Sequence, residues 1–543
     1  MSNVANAMID VLAEAGVRHV FGVPSGPWAP FMDAMRTGPV EFVLTSTEAA
    51  AGFMADVCSR LTGKPGACYG TFGPGATNLC TGVGAAYLDR SPVLAFTTEA
   101  PESMRHRTLQ MHIDHQALFA PLTKWTTRLS PTTVRQTLRR AVQVATSEVP
   151  GPVHVGLPAD IGKQAAAPEM GSAPVQRGAA MAAPDAAQLE QMADLLRQAK
   201  RPLLVVGLSC LRATGHDALV QFVERQRLPV VFSPMAKGFI SEQHPAYAGV
   251  LFHALSDVVA ETIQDADLVL AVGYDPIEFN YEDWLTAVPL VHVDTVPADV
   301  DASCHLVAEV VGDIGAALRY LAQLPPLPHA WDLSALADRR RRMFDTLTAP
   351  RSSLAPSQVL SAVQELLPED GWLACDVGAH THLIGQLWHA SRPGQLIMTN
   401  GWSSMGFGIP AALAAKLCQP QQKVVCITGD GGFLMMVGEM ATAMRLGLAV
   451  VVVVLVDRHL QLITVKQERQ GYPCYGTPLF PAAYPSPSHY FGVPVLPATT
   501  VAEVHEAIAQ GLAASGPVIV EASVDPSEYD EIILRPHKLA AQA

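Results

Sequence analysis

Several features that define protein classes are scarce in this sequence. Charged residues make up only 16% of the 543 residues, no long basic run is present, and the formal net charge is -14. Nucleic-acid partners are therefore not expected, because phosphate backbones are bound through clustered Lys and Arg. The nine cysteines include no CxxC pair, which predicts reduced core thiols in a cytoplasmic protein.

Long apolar runs are also missing. Residues 1–16 lack the basic start and the continuous apolar stretch of a signal peptide. The most apolar run, LGLAVVVVVLV at 446–456, is far shorter than the roughly 20 residues of a membrane helix. We expect no secretion signal and no membrane partner, and we interpret this run as a buried parallel strand.

The sequence does contain a regular alternation of short apolar strands and amphipathic helices, which predicts parallel sheets covered by helices on both faces. Its strand-like segments are HVFGV, EFVLT, GACYGT, PVLAFTT, PVHVGLP, PLLVVGL, LPVVFSP, ADLVLAVGY, PLVHVDT, GWLACDVG, KVVCITGD, LAVVVVVLVD and GPVIVEASVD. An Ala-, Pro- and Gly-rich stretch at 163–184 and a break at 325–356 interrupt the pattern. The run DRRRR in the second break is predicted to be a solvated helix face. We therefore predict three α/β domains with doubly wound parallel sheets, at residues 1–165, 185–325 and 355–543.

The most informative segment is KVVCITGDGGFLMMVGEMATAMRLGLAVVVVVLVDRHLQLI at 423–463. A strand is followed by a tight turn at Gly429–Gly432, and a helix is predicted to begin near Phe433. The next strand ends at Asp457, so Asp430 and Asp457 should meet at the carboxyl edge of a parallel sheet, where ligands bind. The glycines and the helix start suit a phosphate, and carboxylate oxygens suit Mg²⁺. The alternative is an ordinary turn and a strand-end cap.

This segment resembles the metal- and diphosphate-binding motif of thiamine-diphosphate enzymes, which opens with Gly-Asp-Gly and closes with Asn. The resemblance implies thiamine diphosphate held through Mg²⁺ or another divalent cation, with Asp430, Asp457 and the backbone carbonyl of His459 as metal ligands. Asp457 stands where the family usually has Asn, as in the catabolic acetolactate synthases. The cofactor contacts implied in this segment are Gly429, Asp430, Gly431, Gly432, Asp457, His459, Leu460 and Leu462.

Glu48 is the candidate for activating this cofactor. It follows the strand EFVLT and opens a helix rich in small residues, although acids are common in a first helical turn. The stretches STEAAAGFMA and TFGPGATNLCTGVGAAYLDRSPVLAFT resemble the pyrimidine-binding domain of acetolactate synthases. The resemblance implies that the Glu48 carboxyl bonds to the aminopyrimidine ring and that Gln110 lies near the reacting carbon. It also implies cofactor contacts at Pro24, Ser25, Pro74 and Asn78.

The third domain contains two further segments of this resemblance. NGWSSMGFGIPAALAAK at 400–416 is similar to the segment whose Met bends the cofactor, which implies roles for Met405 and for the backbone carbonyl of Ser403. A core Met after a turn is the alternative for Met405. DVGAH lies where the family contacts the diphosphate, and the family commonly has Gln at Ala379, so backbone contact alone is expected there. The implied contacts in DVGAH are Val377, Gly378, Ala379 and His380.

The resemblance covers nearly the whole chain and implies a pyrimidine-binding, a central and a diphosphate-binding domain, in that order. VGYDPIEFNYEDW at 272–284 resembles catabolic acetolactate synthases, and the basic DDRVTGK-like segment of flavin-containing relatives is not found, so FAD is not expected. The implied reaction is carboligation, in which a 2-oxo acid such as pyruvate is decarboxylated and its acyl-anion equivalent is transferred to a second carbonyl compound. A 2-oxo acid decarboxylase or C–C lyase stays open, as does a non-catalytic cofactor-binding subunit.

The resemblance further implies a homodimer or homotetramer with active sites between chains.

The resemblance does not fix which residues contact the substrate. The loop FGVPSGPWAPF has Pro27 where catabolic acetolactate synthases carry Lys, we interpret Trp28 as packing, and Leu109 stands where Phe is frequent. The segment RHRTLQMHIDH offers five residues that could bind a carboxylate or relay protons, and the sequence does not choose among them. These are Arg105, His106, Arg107, His112 and His115.

Overall fold

The computed structural model of the chain describes residues 2–168, 175, 178, 181–278, 288–481 and 486–533. Three parallel-sheet α/β units follow one another along these residues, which confirms the predicted fold class. Part of the central segment 272–284 lies outside the described residues.

The first unit contains six strands: β1 His19–Gly22, β2 Glu41–Leu44, β3 Gly66–Gly70, β4 Val93–Glu99, β5 Trp125–Arg128 and β6 Val153–Pro158. They form one parallel sheet in the order β2-β1-β3-β4-β6-β5. Its helices are α1 Val4–Glu14, α2 Ala29–Thr37, α3 Glu48–Thr62, α4 Pro74–Leu88, α5 His115–Phe119 and α6 Val134–Thr146. Trp28 is fully buried and stacks on Tyr69 with ring centroids 3.9 Å apart, in agreement with its interpretation as packing.

The central unit also contains six strands: β7 Pro202–Val206, β8 Val230–Phe232, β9 Tyr247–Val250, β10 Leu268–Val272, β11 Leu290–Asp294 and β12 Leu306–Val311. They are parallel in the order β12-β11-β10-β7-β8-β9, so the order reverses between β7 and β10. In open α/β sheets such a reversal leaves a crevice at the carboxyl edge. The helices are α7 Ala186–Gln198, α8 His216–Gln226, α9 Ser256–Asp265 and α10 Ile314–Gln323.

Helix α11, Leu333–Leu347, carries the DRRRR run, of which Asp338, Arg341 and Arg342 are exposed as predicted, while Arg339 and Arg340 are half-buried. Arg339 pairs with Asp265 and Arg342 pairs with Glu261, both on α9. Arg340 donates to the backbone carbonyl of His244 at 2.6 Å. These cations are therefore used to attach α11 to the central unit, because the acids of α9 face it.

The C-terminal unit contains β13 Trp372–Cys375, β14 Leu396–Ile397, β15 Val424–Gly429, β16 Val451–Val456, β17 His489–Tyr490, β18 Val493–Ala498 and β19 Val518–Ser523. The order is β14-β13-β15-β16-β19-β18-β17, and the short edge strand β17 is antiparallel to β18. The helices are α12 Pro356–Leu366, α13 Ala379–Leu387, α14 Gly408–Cys418, α15 Asp430–Met436, α16 Glu439–Leu446, α17 Gln461–Arg469, α18 Val501–Ala513 and α19 Ser527–Ile532.

The first and third sheets share one strand order. Leaving β17 aside, each runs second, first, third, fourth, sixth, fifth strand across the sheet. Loops that follow corresponding strands therefore reach corresponding places at the carboxyl edge. This topology gives the two units equivalent edges on which to build a site.

Two expectations need correction. Helix α15 begins at Asp430 and not near Phe433, because the glycines of the turn already adopt helical geometry and Gly429 serves as the N-cap. Six strands were not predicted: β5, β9, β12, β14, β17 and β18. None of the nine cysteines, all of which lie in the described part of the chain, forms a disulfide. Among the described helices, none has the length and apolar character required to cross a bilayer.

Candidate active site

The carboxyl ends of β13 to β16 form the first part of the candidate site, named here the metal edge (residues 376–380, 403–405, 429–432 and 457–462). β15 and β16 are parallel neighbours with Gly429 opposite Leu455. Asp430 and Asp457 consequently follow at nearly the same level of the sheet. The structure thus brings together the two acids predicted as metal ligands.

The two carboxylates form an unfavourable pair in the absence of a cation. Asp430 accepts hydrogen bonds from the N–H of Gly431 at 2.9 Å and of Arg458 at 2.7 Å, and Asp457 accepts from the N–H of His459 at 3.0 Å. Burial raises the pKa of Asp430 to about 6. Burial raises the pKa of Asp457 to about 7, and repulsion from Asp430 is the second-largest cause of this rise. Oxygen ligands of this charge fit a hard divalent cation, which would relieve the repulsion.

A buried histidine lies beside the glycine turn. His380 is 3% exposed, and its Nε2 has no hydrogen-bond partner among the described residues. A Cβ added at Gly378 or Gly429 would lie 2.7 Å or 3.6 Å from its Cε1. Burial lowers the pKa of His380 to about 4, although a hydrogen bond to the Asp376 backbone favours the proton. A phosphate oxygen at Nε2 would complete the hydrogen bonding of the ring and favour its charged form.

Two other predicted cofactor contacts converge on Gly431. A Cβ at Gly431 would lie 2.9 Å from Leu460 Cδ2 and 3.0 Å from Met405 Cε. Ser403, two residues before Met405, has φ +49° and so adopts the left-handed conformation that non-glycine residues rarely take. Leu462, by contrast, packs half-buried against the apolar core.

Asp376 organises the metal edge and was missed by the sequence analysis. Its buried carboxylate accepts from the N–H of Val377 at 2.7 Å, the N–H of Gly406 at 2.8 Å and the hydroxyl of Thr428 at 2.7 Å. Burial raises its pKa to about 6. Asp376 therefore links the ends of β13 and β15 to the loop that carries Met405. The available signal was an acid at the end of the strand GWLACDVG.

The corresponding edge of the first sheet is named here the glutamate edge (residues 24–25, 46–48, 73–78 and 110–115). Glu48 is the first residue of α3 and is 7% exposed. The Thr47 side chain caps this helix by accepting from the N–H of Ala50 at 3.2 Å. Asn78 Nδ2 donates to Glu48 Oε2 at 3.2 Å. The structure thus joins two of the predicted pyrimidine contacts.

Glycines allow the helices of this edge to approach closely. A Cβ at Gly82 of α4 would lie 2.5 Å from Gly52 Cα of α3, so these two helices meet backbone to backbone. A Cβ at Gly75 would lie 3.1 Å from Glu48 Oε1. Gly75 therefore packs directly beside Glu48 Oε1, where a larger side chain would crowd the carboxyl group.

His115 holds the loop beside Glu48 and is not free to bind substrate. The N–H of Gly73 donates to its Nε2 at 3.3 Å, and its Nδ1 lies 2.9 Å from Thr97 Oγ1. A backbone N–H can only donate, so Nε2 of His115 is the acceptor and carries no proton. In the neutral ring the proton therefore lies on Nδ1, which donates to Thr97 Oγ1. The Thr97 hydroxyl can then donate to His154 Nε2 at 2.7 Å. Burial lowers the pKa of His115 to about 4, which keeps this neutral arrangement.

The remaining predicted residues of this edge face outward in a single chain. Ser25 is half-buried and its hydroxyl lies 2.6 Å from the Tyr69 hydroxyl. A Cβ at Gly73 would lie 2.7 Å from the Met111 carbonyl oxygen, so the segment around Gln110 packs on the loop of Gly73. The exposed residues of the predicted set are Pro24, Pro74, Asn78, Gln110, Arg105, His106 and Arg107.

The metal edge and the glutamate edge lie on different sheets, so the structure builds the predicted site as two halves. The hydrogen bonds described for Glu48 reach Asn78, and those described for Asp430 and Asp457 stay within the metal edge. One contact region of the two units lies at the start of α3, where Thr47 Oγ1 is 4.0 Å from Met436 Sδ of α15.

Comparison with known families supports this arrangement. Three thiamine pyrophosphate enzyme families match the chain: the N-terminal TPP binding domain at residues 2–118, the central domain at 189–321 and the C-terminal TPP binding domain at 376–522. The first match includes the glutamate edge and the last includes the metal edge.

Curated relatives match over almost the entire length. The acetolactate synthase large subunit of Parasynechococcus marenigrum (strain WH8102) is 30% identical over 99% of this chain and 90% of its own length. The catabolic acetolactate synthase of Raoultella terrigena is 28% identical over 96% of this chain and 95% of its own length. The acetolactate synthase of Bacillus subtilis (strain 168) is 28% identical over 98% and 95%, respectively. The chain therefore belongs to the thiamine-diphosphate-dependent acetolactate synthase family.

Proposed function

We propose that the protein is a carboligase that decarboxylates a 2-oxo acid such as pyruvate and transfers the remaining acyl unit to a second carbonyl compound. The observation that carries the proposal is the pair of complementary half-sites. One presents the buried Asp430 and the half-buried Asp457, whose carboxylates repel each other beside a glycine turn, and the other presents the buried Glu48, of which Asn78 holds one carboxyl oxygen. Relatives named acetolactate synthase support the same reaction class.

The metal edge is proposed to hold the diphosphate end of thiamine diphosphate. Asp430, Asp457 and the His459 carbonyl would bind Mg²⁺ or another divalent cation. His380 and the backbone of Val377–Ala379 would contact the diphosphate, with Gly429, Gly431, Gly432, Leu460 and Leu462 around it. Met405 and the Ser403 carbonyl would contact the organic part of the cofactor. When bound, thiamine diphosphate would supply the electron sink that takes up the negative charge left on the former carbonyl carbon when CO₂ leaves a 2-oxo acid.

The glutamate edge is proposed to supply the proton relay. Asn78 holds Glu48 Oε2, so Oε1 is the atom that would hold or move a proton on the pyrimidine ring. Pro24, Ser25 and Pro74 would line the same pocket. Gln110, on the segment that packs against Gly73, would lie near the reacting carbon. The three units 1–165, 185–325 and 355–543 would then each form one domain of the enzyme.

The half-sites are proposed to meet across two chains in a homodimer or homotetramer. Large apolar side chains on the relevant surfaces support this: Met104, Met111 and Ile113 near the glutamate edge are 40%, 46% and 41% exposed, and Met435 on α15 is 54% exposed. Exposed apolar groups in such clusters mark interaction surfaces. We also propose a cytoplasmic location, with which the lack of disulfides among the nine described cysteines agrees.

We propose that the protein binds no FAD, because the sequence lacks the basic DDRVTGK-like segment of flavin-containing relatives. The proposal needs a test, because a cavity of about 750 Å³ lies at the carboxyl edge of the central sheet, where ligands bind in such folds. Arg212, Thr295 and Met235 contribute to its wall. Purified protein should show no flavin absorbance after release with acid. A stoichiometric flavin band would contradict this part of the proposal.

Product analysis tests the reaction. Wild-type protein with Mg²⁺, thiamine diphosphate and pyruvate should form acetolactate, or acetoin after its decarboxylation, identified by mass spectrometry. Acetaldehyde alone would identify a decarboxylase instead. The absence of any product from pyruvate and from a panel of 2-oxo acids with aldehydes, despite cofactor binding, would favour a non-catalytic subunit. Glu48→Gln, expected to bind cofactor without forming product, is the control.

A further inference from the structure

Glu439 is a fully buried acid of the C-terminal unit that lies at the start of the helix carrying Glu48. Its Oε1 accepts from the N–H of Ser46 at 2.7 Å and from the N–H of Thr47 at 3.2 Å. These are the two residues that precede Glu48. A carboxylate of one unit thus binds the free N–H groups at a helix end of another unit.

The surrounding contacts concentrate on the same short segment. The Ser46 hydroxyl donates to the Gly438 carbonyl at 2.7 Å, and a Cβ at Gly438 would lie only 3.2 Å from Ser46 Cβ. Arg445 of α16 donates to the Leu44 carbonyl. The residues that set the direction of Glu48 are therefore held from outside their own sheet.

The electrostatics show why an acid is suited to this place. A carboxylate at a helix N-terminus is favoured by the helix dipole and makes stronger, charge-assisted hydrogen bonds. Burial raises the pKa of Glu439, while Thr442, the N–H groups of Ser46 and Thr47, and Arg445 favour its charged form. Its Oε2 has no partner within the hydrogen-bond geometry of the described residues, so Oε1 provides the anchoring contact.

We propose that Glu439 is a positioning residue: it fixes Ser46 and Thr47 so that the Glu48 carboxyl is oriented toward the cofactor. The inference rests on the proposed function, because it assigns Glu48 to the pyrimidine ring. Glu439 itself touches neither substrate nor cofactor. Its removal would leave α3 folded through its Thr47 cap but with a displaced first turn.

The test measures exchange of the cofactor's C2 proton for deuterium in the holoenzyme, without substrate, by rapid quench and NMR. This rate reports proton transfer through Glu48 and does not depend on the identity of the substrate. Glu439→Ala is expected to slow exchange between about 10- and 100-fold, the range that a misplacement of about 1 Å produces. Glu439→Gln keeps an acceptor oxygen but loses the charge, so a slowing of roughly three- to tenfold is expected.

Glu528→Gln is the matched control. Glu528 is also buried and accepts from the N–H of Ser357 at 2.9 Å and from its hydroxyl, at the start of α12. It should shift the melting temperature as the Glu439 variants do, with an exchange rate within about twofold of wild type. Cofactor affinity, measured by calorimetry, should stay within about tenfold for all three variants, since the metal edge is unchanged.

Exchange at the wild-type rate in folded, cofactor-loaded Glu439→Ala would overturn the proposal. If Glu439→Ala does not fold, an exchange rate in Glu439→Gln within about twofold of wild type overturns it. An equal slowing in Glu528→Gln would show a general stability effect and also overturn it. Failure of the proposed function gives a different result: the wild type would not bind the cofactor, or Glu48→Gln would exchange as fast as the wild type.

Discussion

The metal edge and the glutamate edge lie at the same end of two sheets with the same strand order, yet they are completed to different degrees within one chain. At the metal edge, Asp376, Asp430 and His380 are buried, and the two acids accept hydrogen bonds from neighbouring loops of the same unit. At the glutamate edge, Glu48 is buried but Pro74, Asn78 and Gln110 are exposed. The comparison shows that the acids of the metal edge are enclosed by loops of their own unit, whereas the glutamate edge leaves several of its predicted contacts on the surface.

The largest effect is expected at the glutamate edge. Glu48→Gln keeps the shape of the side chain but cannot move a proton, so the rate of product formation should fall about 10²- to 10⁴-fold. Cofactor affinity should change less than about tenfold, because the metal edge is intact. Initial rates and calorimetry check both. If the rate of product formation and the cofactor affinity fell together, the two edges would not have the separate roles proposed for them.

The next effect concerns cofactor binding. Thiamine diphosphate with Mg²⁺ at about 100 times its dissociation constant should stabilise the wild type by about 3 kcal/mol, seen as a rise in melting temperature. Asp430→Asn should lose this rise, because one of the two carboxylates proposed to bind the metal is gone. Asp338→Asn, at an exposed position of α11, is the control and should keep the rise in melting temperature. Retention of the full rise in Asp430→Asn would contradict the metal assignment.

The protein without cofactor should become less stable as pH rises. The pKa of Asp457 is raised to about 7 and that of Asp430 to about 6, from an ordinary value of 3.8. Between pH 3.8 and these raised values, the folded state therefore binds more protons than the unfolded state. Stability is then highest at low pH within this window and falls as pH rises through about 6 to 7, by on the order of 2 kcal/mol. Denaturant titrations at several pH values measure this. Asp457→Asn should flatten the profile; an unchanged slope would contradict the close pairing of the two acids.

The smallest effect is expected at the loop of Gly73. His115→Leu would leave the buried N–H of Gly73 without its acceptor, at a cost of about 1–3 kcal/mol of stability. Activity should fall roughly tenfold through displacement of this loop beside Glu48. A variant whose activity vanishes while its stability is unchanged would instead indicate direct contact with substrate. Denaturant titration and initial rates distinguish these outcomes.

The sequence predicted the inner strands of each sheet better than the strands at or next to the sheet edges. Central strands such as LAVVVVVLVD are covered on both faces and read as continuous apolar runs. The strands that were missed lie at or near sheet edges, and β5, with the sequence WTTR, is half-buried throughout. Half-exposed strands need little apolar sequence, so their pattern is weak. Strands β14 and β17 have only two residues each, which is too short to show an alternation.

Within the site, residues whose place follows from a local sequence motif could be predicted. Residues whose role depends on contacts with distant parts of the chain could not. Asp430 follows β15 and Asp457 follows β16, with α15 and α16 between these neighbouring strands, so their proximity follows from local order. Asp376 and Glu439 gain their roles from hydrogen bonds to Gly406 and to Ser46, distant in sequence. His115 was indistinguishable from its neighbours until burial separated it from exposed Arg105 and His106.

The most direct test of the central claim is complementation between chains. Glu48→Gln and Asp430→Asn proteins, each inactive alone, are dissociated, mixed in equal amounts and reassembled. If the glutamate edge of one chain completes the metal edge of another, each mixed dimer contains one intact site, and random mixing should restore about a quarter of the wild-type rate. If both edges of one chain formed the site, no intact site could arise, and a mixture without activity would contradict the account.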